Sequence, residues 1–487
     1  MDEKKQKRLS TPKQQLCRVM LGYLLFVILF YWASGDRLYY VNQYTDSVTA
    51  KTTAAIMTDG TVVTFPFRTE MDYCDYVSLL IGTSSRSNLG NLDVELLRGG
   101  SVLAHKMLKT SPLTDYVYDH IIWDQPVKTM PGETLTVRIT AQGVPKNCGV
   151  SLWYGDSVSA GRFSVKQSDT SSFTVDGKIS QGTICYKMAG RNSLMVGYFY
   201  WPAAALLGAL IMAYGFYVMR CVKIGKNCLA IHWSRFQQRY SFLIRQLVSR
   251  DFKRKYKRSV LGVFWSFLNP LLTMAVQYIV FSTLFKSSID NFVVYLLSGI
   301  VLYNFFSEAV NMGLTSITDN ASLINKVYVP KVIYPYSRTL SAVINLLIAL
   351  IPLFGAVLLS GCPLNRSLLL LPIGLFLLFV FSLGFALLLA TAMVYFRDTL
   401  FLWSVMSILW SYLTPTFYPI TIIPKNLQIV FKLNPLYQYI TFARSILMEG
   451  LAPPPSVYLG CILSAVIMFT IGWVVFKKHQ ARFILHL

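Results

Sequence analysis

Long apolar runs recur along this chain and are separated by shorter polar segments. A helix that crosses a bilayer needs about 20 predominantly apolar residues. The pattern therefore predicts eight membrane-spanning helices. They occupy residues 17–33, 196–219, 259–285, 291–310, 340–360, 368–394, 400–413 or slightly beyond, and 457–476.

A different pattern precedes the third apolar run, over residues 235–258. Apolar side chains recur there at helical spacing, and polar ones fall elsewhere around the helix. This periodicity predicts an amphipathic helix in the membrane interface, with its apolar side in acyl chains. From Val248 the apolar stripe is rotated by roughly 100°, so we expect a bend near Leu247. A plain surface helix ahead of an ordinary span is the alternative. The first stripe comprises Phe236, Tyr240, Leu243, Ile244 and Leu247, and the second Val248, Phe252 and Tyr256.

Residues 34–194 follow a third pattern, in which apolar and polar positions alternate over short stretches. Examples are residues 61–65, 92–97 and 134–139, and turn dipeptides such as Asp59-Gly60 and Pro131-Gly132 separate such stretches. Alternation with regular turns predicts an antiparallel β-sandwich, which we expect to be a jelly roll. The fold class is thus a polytopic α-helical membrane protein with an inserted β-sandwich.

The charge distribution gives this arrangement a direction across the membrane. The chain has a net charge of +22, yet residues 34–194 hold 15 acidic and 15 basic side chains, so the excess lies beside the apolar runs. Basic clusters mark the cytoplasmic ends of spans. We therefore place both termini in the cytoplasm and residues 34–195 outside the membrane. This clustering argues against nucleic-acid binding, which needs cations spread over one face.

The predicted organisation has five parts. Residues 17–33 also resemble a cleavable signal peptide, but we favour a retained anchor, and either interpretation places residue 34 outside. The parts are residues 1–33 (tail and first anchor), 34–195 (β-sandwich), 196–220 (second span), 221–258 (cytoplasmic linker and interfacial helix) and 259–487 (six-span core).

Few side chains are arranged for catalysis. The phosphate-binding pattern G-x-x-x-x-G-K-[ST] is missing from the sequence. The five histidines are scattered, so we predict no metal site. A membrane glycosyltransferase would need neighbouring carboxylates on the cytoplasmic side, and Asp251, Asp319 and Asp398 are isolated in sequence. Glu308 lies within a predicted span, where a carboxylate is either functional or hydrogen-bonded between helices.

Cysteine usage allows one disulfide outside the cytoplasm. Cys74, Cys148 and Cys185 lie in the predicted β-sandwich, and a bond between Cys148 and Cys185 is a weak preference. Sequence alone does not determine the pairing.

Aromatic residues are concentrated in the third and seventh apolar runs. Single aromatics in spans are usually packing or interfacial residues. Phe267, Tyr278 and Phe281, however, lie within roughly 60° on one helix face. Aromatic rings stack on the apolar faces of sugars, so a one-sided track of this kind is suited to contact with a sugar chain. The aromatic residues of these two regions are Trp265, Phe267, Tyr278, Phe281, Trp403, Trp410, Tyr412, Phe417 and Tyr418.

Two long connections complete the pattern. Residues 320–336 mix apolar and polar residues and face the cytoplasm. Residues 415–435 face outside, are too apolar for a solvated loop, and are interrupted by Pro419, Pro424 and Pro435. We expect a re-entrant pair of short helices there, since irregular backbone is tolerated in a membrane only where protein or a cavity covers it.

Four segments resemble the permease subunit of type-2 ABC exporters, in the branch that exports O-antigen, teichoic acid and related surface polysaccharides. The resemblance covers about residues 235–487. The segments are SRDFKRKYKRSVLGVFWSFLNPLL (residues 249–272), SLINKVYVPKVIYPYSRTLSAVINLL (322–347), YFRDTLFL (395–402) and SYLTPTFYPITIIPKNLQIVFKLNPLYQYITFARSIL (411–447).

The resemblance implies a homodimer with two separate ATP-binding subunits, which bind ATP and Mg²⁺, and a polymer carried on an undecaprenyl-pyrophosphate lipid. This chain would itself be no enzyme and hold no cofactor. By position, the lipid pyrophosphate would meet Arg250, Lys253, Arg254, Lys257 and Arg258. A coupling helix for the ATPase would include Ser322, Leu323, Asn325, Lys326, Tyr328 and Pro330. An outer gate would include Pro419, Pro424, Asn434 and Pro435, and the aromatic residues named above would line the polymer channel.

The first 230 or so residues depart from the six-span family pattern. Three roles for the β-sandwich stay open: it holds the emerging polymer, it recruits a wall enzyme, or it caps the exit. Two other functions stay open. One is a membrane-anchored carbohydrate-binding or wall-assembly protein, and the other is an exporter of a drug or small lipid.

Overall fold

The computed structural model describes residues 12–45, 50, 52–84, 88–111, 113, 115–155, 172–224, 228–256, 262, 264–285, 291–324, 326 and 329–486. These residues form two compact units. One comprises the described parts of residues 1–38 and 198–487, and the other is Tyr39–Gly197.

The first unit is helical, and its elements follow the apolar runs of the sequence. The helices are α1 Pro12–Ser34, α2 Val196–Ile224, α3 Leu229–Tyr256, α4 Phe264–Phe285, α5 Phe292–Leu314, α6 Ala321–Ile324, α7 Ile333–Leu359, α8 Leu371–Tyr395, α9 Thr399–Leu413, α10 Lys425–Leu433, α11 Pro435–Leu447, α12 Pro455–His479 and α13 Phe483–His486.

Each predicted span coincides with one of these helices. Among the described residues, seven helices are long and apolar enough to cross a membrane, while α9 is apolar but shorter. Its 15 residues correspond to a length of roughly 22 Å, against about 30 Å of hydrocarbon. The membrane-type helical core is therefore confirmed, and the count of eight spans stays a prediction.

The predicted coupling helix over residues 320–336 is wrong in extent. The segment contains a 3-10 turn, Thr318–Asn320, and the four-residue helix α6, and α7 then begins at Ile333. Proline lacks the N–H that a helix interior needs. Pro330 therefore precedes α7, and Pro335 lies in its first turn, where backbone N–H groups have no helical partner.

The core of this unit forms where α5, α7, α8, α11 and α12 meet. Its largest cluster of buried side chains includes Phe306, Phe381 and Phe442. Small residues let α8 and α12 approach closely, because a Cβ on Gly472 would lie 2.0 Å from the carbonyl oxygen of Gly384. Such contacts between small residues are typical of helices packed within membranes.

The second unit is built from antiparallel strands, as the alternation predicts. The strands are β1 Tyr40–Thr45, β2 Thr52–Met57, β3 Val62–Thr69, β4 Tyr73–Gly82, β5 Asn91–Arg98, β6 Ser101–Lys109, β7 Val117–Lys128, β8 Glu133–Gln142, β9 Val150–Gly155, β10 Ser172–Val175, β11 Lys178–Gln181, β12 Thr183–Ile184 and β13 Tyr186–Ser193.

Two sheets share one apolar core in this unit. A seven-stranded sheet has the order β1-β13-β4-β9-β12, with β2 on β9 and β7 on β4, and a six-stranded sheet has the order β11-β10-β3-β8-β5-β6. Inward residues of both sheets, such as Leu79 of β4 and Val137 of β8, belong to the same buried cluster. The sandwich is confirmed, while the jelly-roll connectivity stays a prediction.

The disulfide allowed by the sequence is not formed. All eight cysteines are free thiols, including Cys148 and Cys185. Burial raises the pKa of the Cys185 thiol to about 11 and that of the Cys74 thiol to about 12. These two side chains are therefore neutral apolar groups of the sandwich at physiological pH.

Candidate functional site

Helix α3 packs its apolar stripe on protein, which corrects the expected position in acyl chains. Leu247 is buried with Ile317, Ile324 and Tyr334, and other members of the first stripe lie against the same cluster. A periodic apolar stripe shows that one face is buried, but it does not identify the covering material. The helix is continuous through Leu247, the position of the expected bend.

The four described cations at the end of α3 are all exposed, and two of them are also paired. The Arg250 guanidinium donates to Asp251 Oδ1 at 3.2 Å and to Asn320 Oδ1 at 3.0 Å. Lys255 Nζ donates to Glu308 Oε1 at 2.6 Å. The other two cations are Lys253 and Arg254. Of the five predicted pyrophosphate contacts, Lys257 and Arg258 lie outside the described residues.

Glu308 bridges three helices, as the hydrogen-bonded alternative expected. Besides Lys255 of α3, its Oε1 accepts a hydrogen bond from Asn345 Nδ2 of α7 at 2.7 Å. The carboxylate belongs to α5. Its role is therefore to hold α3 and α7 on α5 by hydrogen bonds.

A second group of charges lies one turn earlier on α3. Arg338 of α7 places its Nε 3.5 Å from Asp251 Oδ2 and its second terminal nitrogen 3.2 Å from Asp319 Oδ2. The side chain of Asp251 is 2% exposed. Two carboxylates that are isolated in sequence thus meet on one guanidinium, an ion-pair arrangement and not the paired carboxylates of an acid–base site.

Both groups border one cavity of about 330 Å³. Its wall carries three cations and three carboxylates, so the cavity has no excess of positive charge. The charged residues lining it are Asp251, Arg254, Lys255, Glu308, Asp319 and Arg338.

The predicted coupling segment, residues 320–336, has few solvent-exposed side chains among its described residues. Ile324 is buried in the cluster beneath α3 and Leu323 is half-buried beside it, whereas Ser322 and Lys326 are exposed. Pro330 is half-buried. Asn325 and Tyr328 lie outside the described residues.

The predicted channel aromatics fall into two groups. Phe281 and Phe417 stack with ring centroids 4.9 Å apart, and Tyr412 and Tyr418 contact Phe417 by their edges. Trp265 and Tyr278 on the same helix as Phe281 are 46% and 41% exposed, and Phe267 is half-buried against Phe264.

Two tryptophans of the predicted channel instead pack in the helical core. Trp403 is 5% exposed, contacts Phe306 and Phe385, and donates to Asn311 Oδ1 at 2.8 Å. Trp410 is half-buried and donates to Asn434 Oδ1 at 2.9 Å. A side chain that lines a channel has to be exposed, so the burial of Trp403 argues against that role.

The predicted outer gate over residues 415–435 contains one short helix, α10, and a 3-10 turn, while α11 extends from Pro435 beyond the predicted range. Asn434 separates α10 from α11 and caps α11 by accepting from the backbone N–H of Leu436. Its amide also donates to Thr414 Oγ1 at 2.9 Å and to the carbonyl of Leu413. Pro419 and Pro424 lie just before the 3-10 turn Ile420–Ile422 and α10, and Pro435 is the first residue of α11.

Arg444 is a residue of this region that the sequence analysis missed. Its guanidinium is buried and donates to the carbonyls of Pro415 at 3.0 Å, Thr416 at 2.6 Å and Tyr295 at 3.0 Å. It also lies 3.4 Å from the centroid of the Tyr295 ring. The available signal was a lone arginine between apolar residues of an outer segment. The pairing of Arg338 with Asp251 was also missed, because the two residues are distant in sequence.

The described residues contain no group of three His, Cys, Asp or Glu side chains that could hold a metal ion. The candidate site consists of exposed cations on α3, an ion-pair network beside them, and an outer loop held by Asn434 and Arg444.

Comparisons with known proteins bear on the helical unit. Residues 243–448 match the family model described as ABC-2 type transporter. The chain is 27% identical over 246 residues to the O-antigen export system permease protein RfbA of Myxococcus xanthus, covering 50% of this chain and 95% of that protein. It is 26% identical over 242 residues to the protein of that name from Klebsiella pneumoniae, covering 50% and 93%. The family-model match begins at residue 243, which lies within α3.

Proposed function

Because the C-terminal half of this chain carries an ABC-2 type transporter domain homologous to O-antigen export permeases, we propose that the protein is the permease subunit of an exporter of lipid-linked polysaccharide. The observation that carries the proposal is the match itself, which covers nearly the whole length of those permeases. ATP would be hydrolysed, with Mg²⁺, on a separate subunit. This division agrees with the missing nucleotide-binding loop of the sequence.

The exposed cations of α3 would receive the lipid pyrophosphate from the inner leaflet. Lys253 and Arg254 extend from a helix whose other face is fixed to protein, so they remain available to anionic headgroups. Each such cation near a membrane surface contributes about 1 kcal/mol of attraction to anionic lipids. Arg250 would contribute less, because Asp251 and Asn320 already accept its hydrogen bonds.

A homodimer would supply the channel. Helices α4 and α9 expose many apolar side chains in the protomer, among them Val276, Ile279, Phe401 and Val405. Contiguous apolar surface on a membrane helix has to meet lipid or another protein surface. We propose that these two helices face their counterparts across the dimer axis, with Trp265, Tyr278 and Tyr412 toward the polymer.

The coupling segment would dock on two copies of the ATP-binding subunit. Ser322 and Lys326 are the exposed members of that segment among the described residues. Both chain termini would then be cytoplasmic, and the sandwich formed by Tyr39–Gly197 would lie outside the inner membrane.

Deletion of the gene in its native bacterium tests this function. We expect long-chain polysaccharide to disappear from the cell surface, lipid-linked polymer to accumulate inside, and the full chain to restore export. Surface polysaccharide can be measured on gels after separation of the envelope. Unchanged surface polysaccharide in the deletion strain would contradict the proposal.

A further inference from the structure

The last two turns of α3 are tied to the segment that precedes α6. Arg250 of α3 donates to Asn320, and Asp251 meets Arg338, which also binds Asp319. Asp319 and Asn320 belong to the 3-10 turn Thr318–Asn320, and α6 follows it directly. Polar contacts therefore run from the coupling segment to the helix that carries Lys253 and Arg254.

The Asp251–Arg338 pair of this network is buried, yet the contact between the two side chains is long. The side chains of Asp251 and Arg338 are 2% and 10% exposed. Asp251 Oδ2 and Arg338 Nε nevertheless lack hydrogen-bond partners among the described residues, and their separation of 3.5 Å is long for a charge-assisted hydrogen bond. The cavity of about 330 Å³ beside them leaves room for either side chain to move.

A purely stabilising role does not explain the buried Asp251–Arg338 pair and the cavity beside it. A buried ion pair is weak evidence for stability, because well-packed apolar residues often stabilise a fold as well or better. The apolar cluster around Leu247 and Tyr334 already joins α3 to the same elements. Nor does the cavity fit an anionic ligand, since its three cations face three carboxylates.

We propose that Asp251 and Arg338 are positioning residues that keep α3 in register with the coupling segment, so that docking and movement of the ATPase displace Lys253 and Arg254. The inference rests on the proposed function. The segment before α6 moves with its neighbours through Asn320 and Asp319, and α3 follows because its Arg250 and Asp251 are held by the same set of groups.

Conservative substitutions test the link in the assembled complex. In proteoliposomes that contain the partner ATPase, we expect Asp251→Asn to lower ATP-driven polysaccharide export by about tenfold, the scale of coupling energies between linked sites. ATPase activity should stay within about twofold of the native complex, because no group of the nucleotide site lies on this chain. Asp398→Asn is the matched control, since Asp398 is an exposed carboxylate outside the network; it should change neither quantity. Export and ATP hydrolysis that fall together, or unchanged export by Asp251→Asn, would overturn the inference.

A second measurement needs no transported substrate. Spin labels at Gln238 on α3 and Ser322 on α6, both exposed, report the distance between the two elements in the purified permease. We expect a narrow distance distribution in the native chain and a broad one after Arg338→Lys, with overall helix content retained. A distribution that Arg338→Lys leaves narrow would overturn the link. If the native complex exports no polysaccharide while the labels behave as expected, the proposed function fails and the link survives.

Discussion

Arg444 shows how one residue can organise the outer part of the helical unit. Its guanidinium joins carbonyls of α5 and of the loop after α9, two segments that are far apart in sequence. A charged group is costly to bury unless its hydrogen bonds are satisfied. The three carbonyl oxygens provide such partners and hold the loop close to α11.

Replacement of Arg444 by leucine should destabilise the protein. The three carbonyls would lose their donors in a buried position, which we expect to cost at least about 2 kcal/mol. Thermal unfolding in detergent, followed by loss of monodisperse protein, measures the effect. Arg397→Leu serves as the control because Arg397 is exposed. Equal stability of the two variants would show that Arg444 does not support the loop.

The buried thiols of the sandwich should make its folding stability depend on pH. Burial raises the folded-state pKa of Cys74 to about 12 and of Cys185 to about 11, from an ordinary value of 9.0. Stability from these neutral thiols is complete below pH 9 and is lost as the pH rises from about 9 toward 11–12, because the unfolded thiols ionise first.

We therefore expect Cys74 and Cys185 to resist maleimide at pH 7.5 until the protein is denatured, and the sandwich to unfold more readily at pH 10.5 than at pH 8. Mass spectrometry of labelled peptides and thermal unfolding at the two pH values measure these effects. Cys148, which is only half-buried, provides an internal comparison. Rapid labelling of Cys74 in the folded chain would contradict this account.

Sequence predicted single residues less well than whole elements. For Glu308 the sequence left two alternatives open, a functional carboxylate or a hydrogen-bonded one, and the structure shows the hydrogen bonds. The contacts of Arg338 and Arg444, in contrast, depend on partners from other elements. Periodicity within one element carries no information about such partners.

At the scale of elements, α3 is the clearest case of a partly correct prediction. Its periodicity predicted a helix, and the structure has one with basic residues in its last turn, just before the next span. The prediction that acyl chains cover its apolar face was wrong. An apolar stripe can be buried either by other parts of the protein or by lipid. The predicted extent of the coupling helix was wrong for another reason, because Pro330 and Pro335 restrict where α7 can begin.

The exposed cations of α3 should matter for export and not for folding. The double substitution Lys253→Gln with Arg254→Gln removes two headgroup contacts of about 1 kcal/mol each. We expect binding of anionic lipid vesicles to weaken by about tenfold or more, and export to decline while the complex still assembles. Vesicle flotation and co-purification of the ATPase measure the two quantities.

Arg245→Gln provides the matched control on the same helix. Arg245 is exposed and lies two turns before the cationic end. It should retain most of the vesicle binding. Export that is unaffected by the double substitution would remove Lys253 and Arg254 from lipid entry.

At the scale of the whole molecule, the sequence predicts a β-sandwich over residues 34–195, and the compact unit of the structure is Tyr39–Gly197. The change from long apolar runs to short alternation occurs within a few residues of the boundaries at Tyr39 and Gly197. Both period and charge balance change there, so two independent signals agree. The order of the strands in the two sheets could not be predicted from the sequence, because alternation identifies a strand but not the strands that pair with it.

The central claim is that this chain forms a pathway whose energy comes from ATP hydrolysis on another polypeptide. Reconstitution into liposomes with and without the partner ATPase, using a fluorescent lipid-linked glycan, tests it most directly. We predict that the glycan becomes accessible on the opposite side of the membrane only when both subunits and Mg-ATP are present, and that this chain alone hydrolyses no ATP. ATP hydrolysis by this chain alone, or equal glycan movement without the ATPase, would contradict the account.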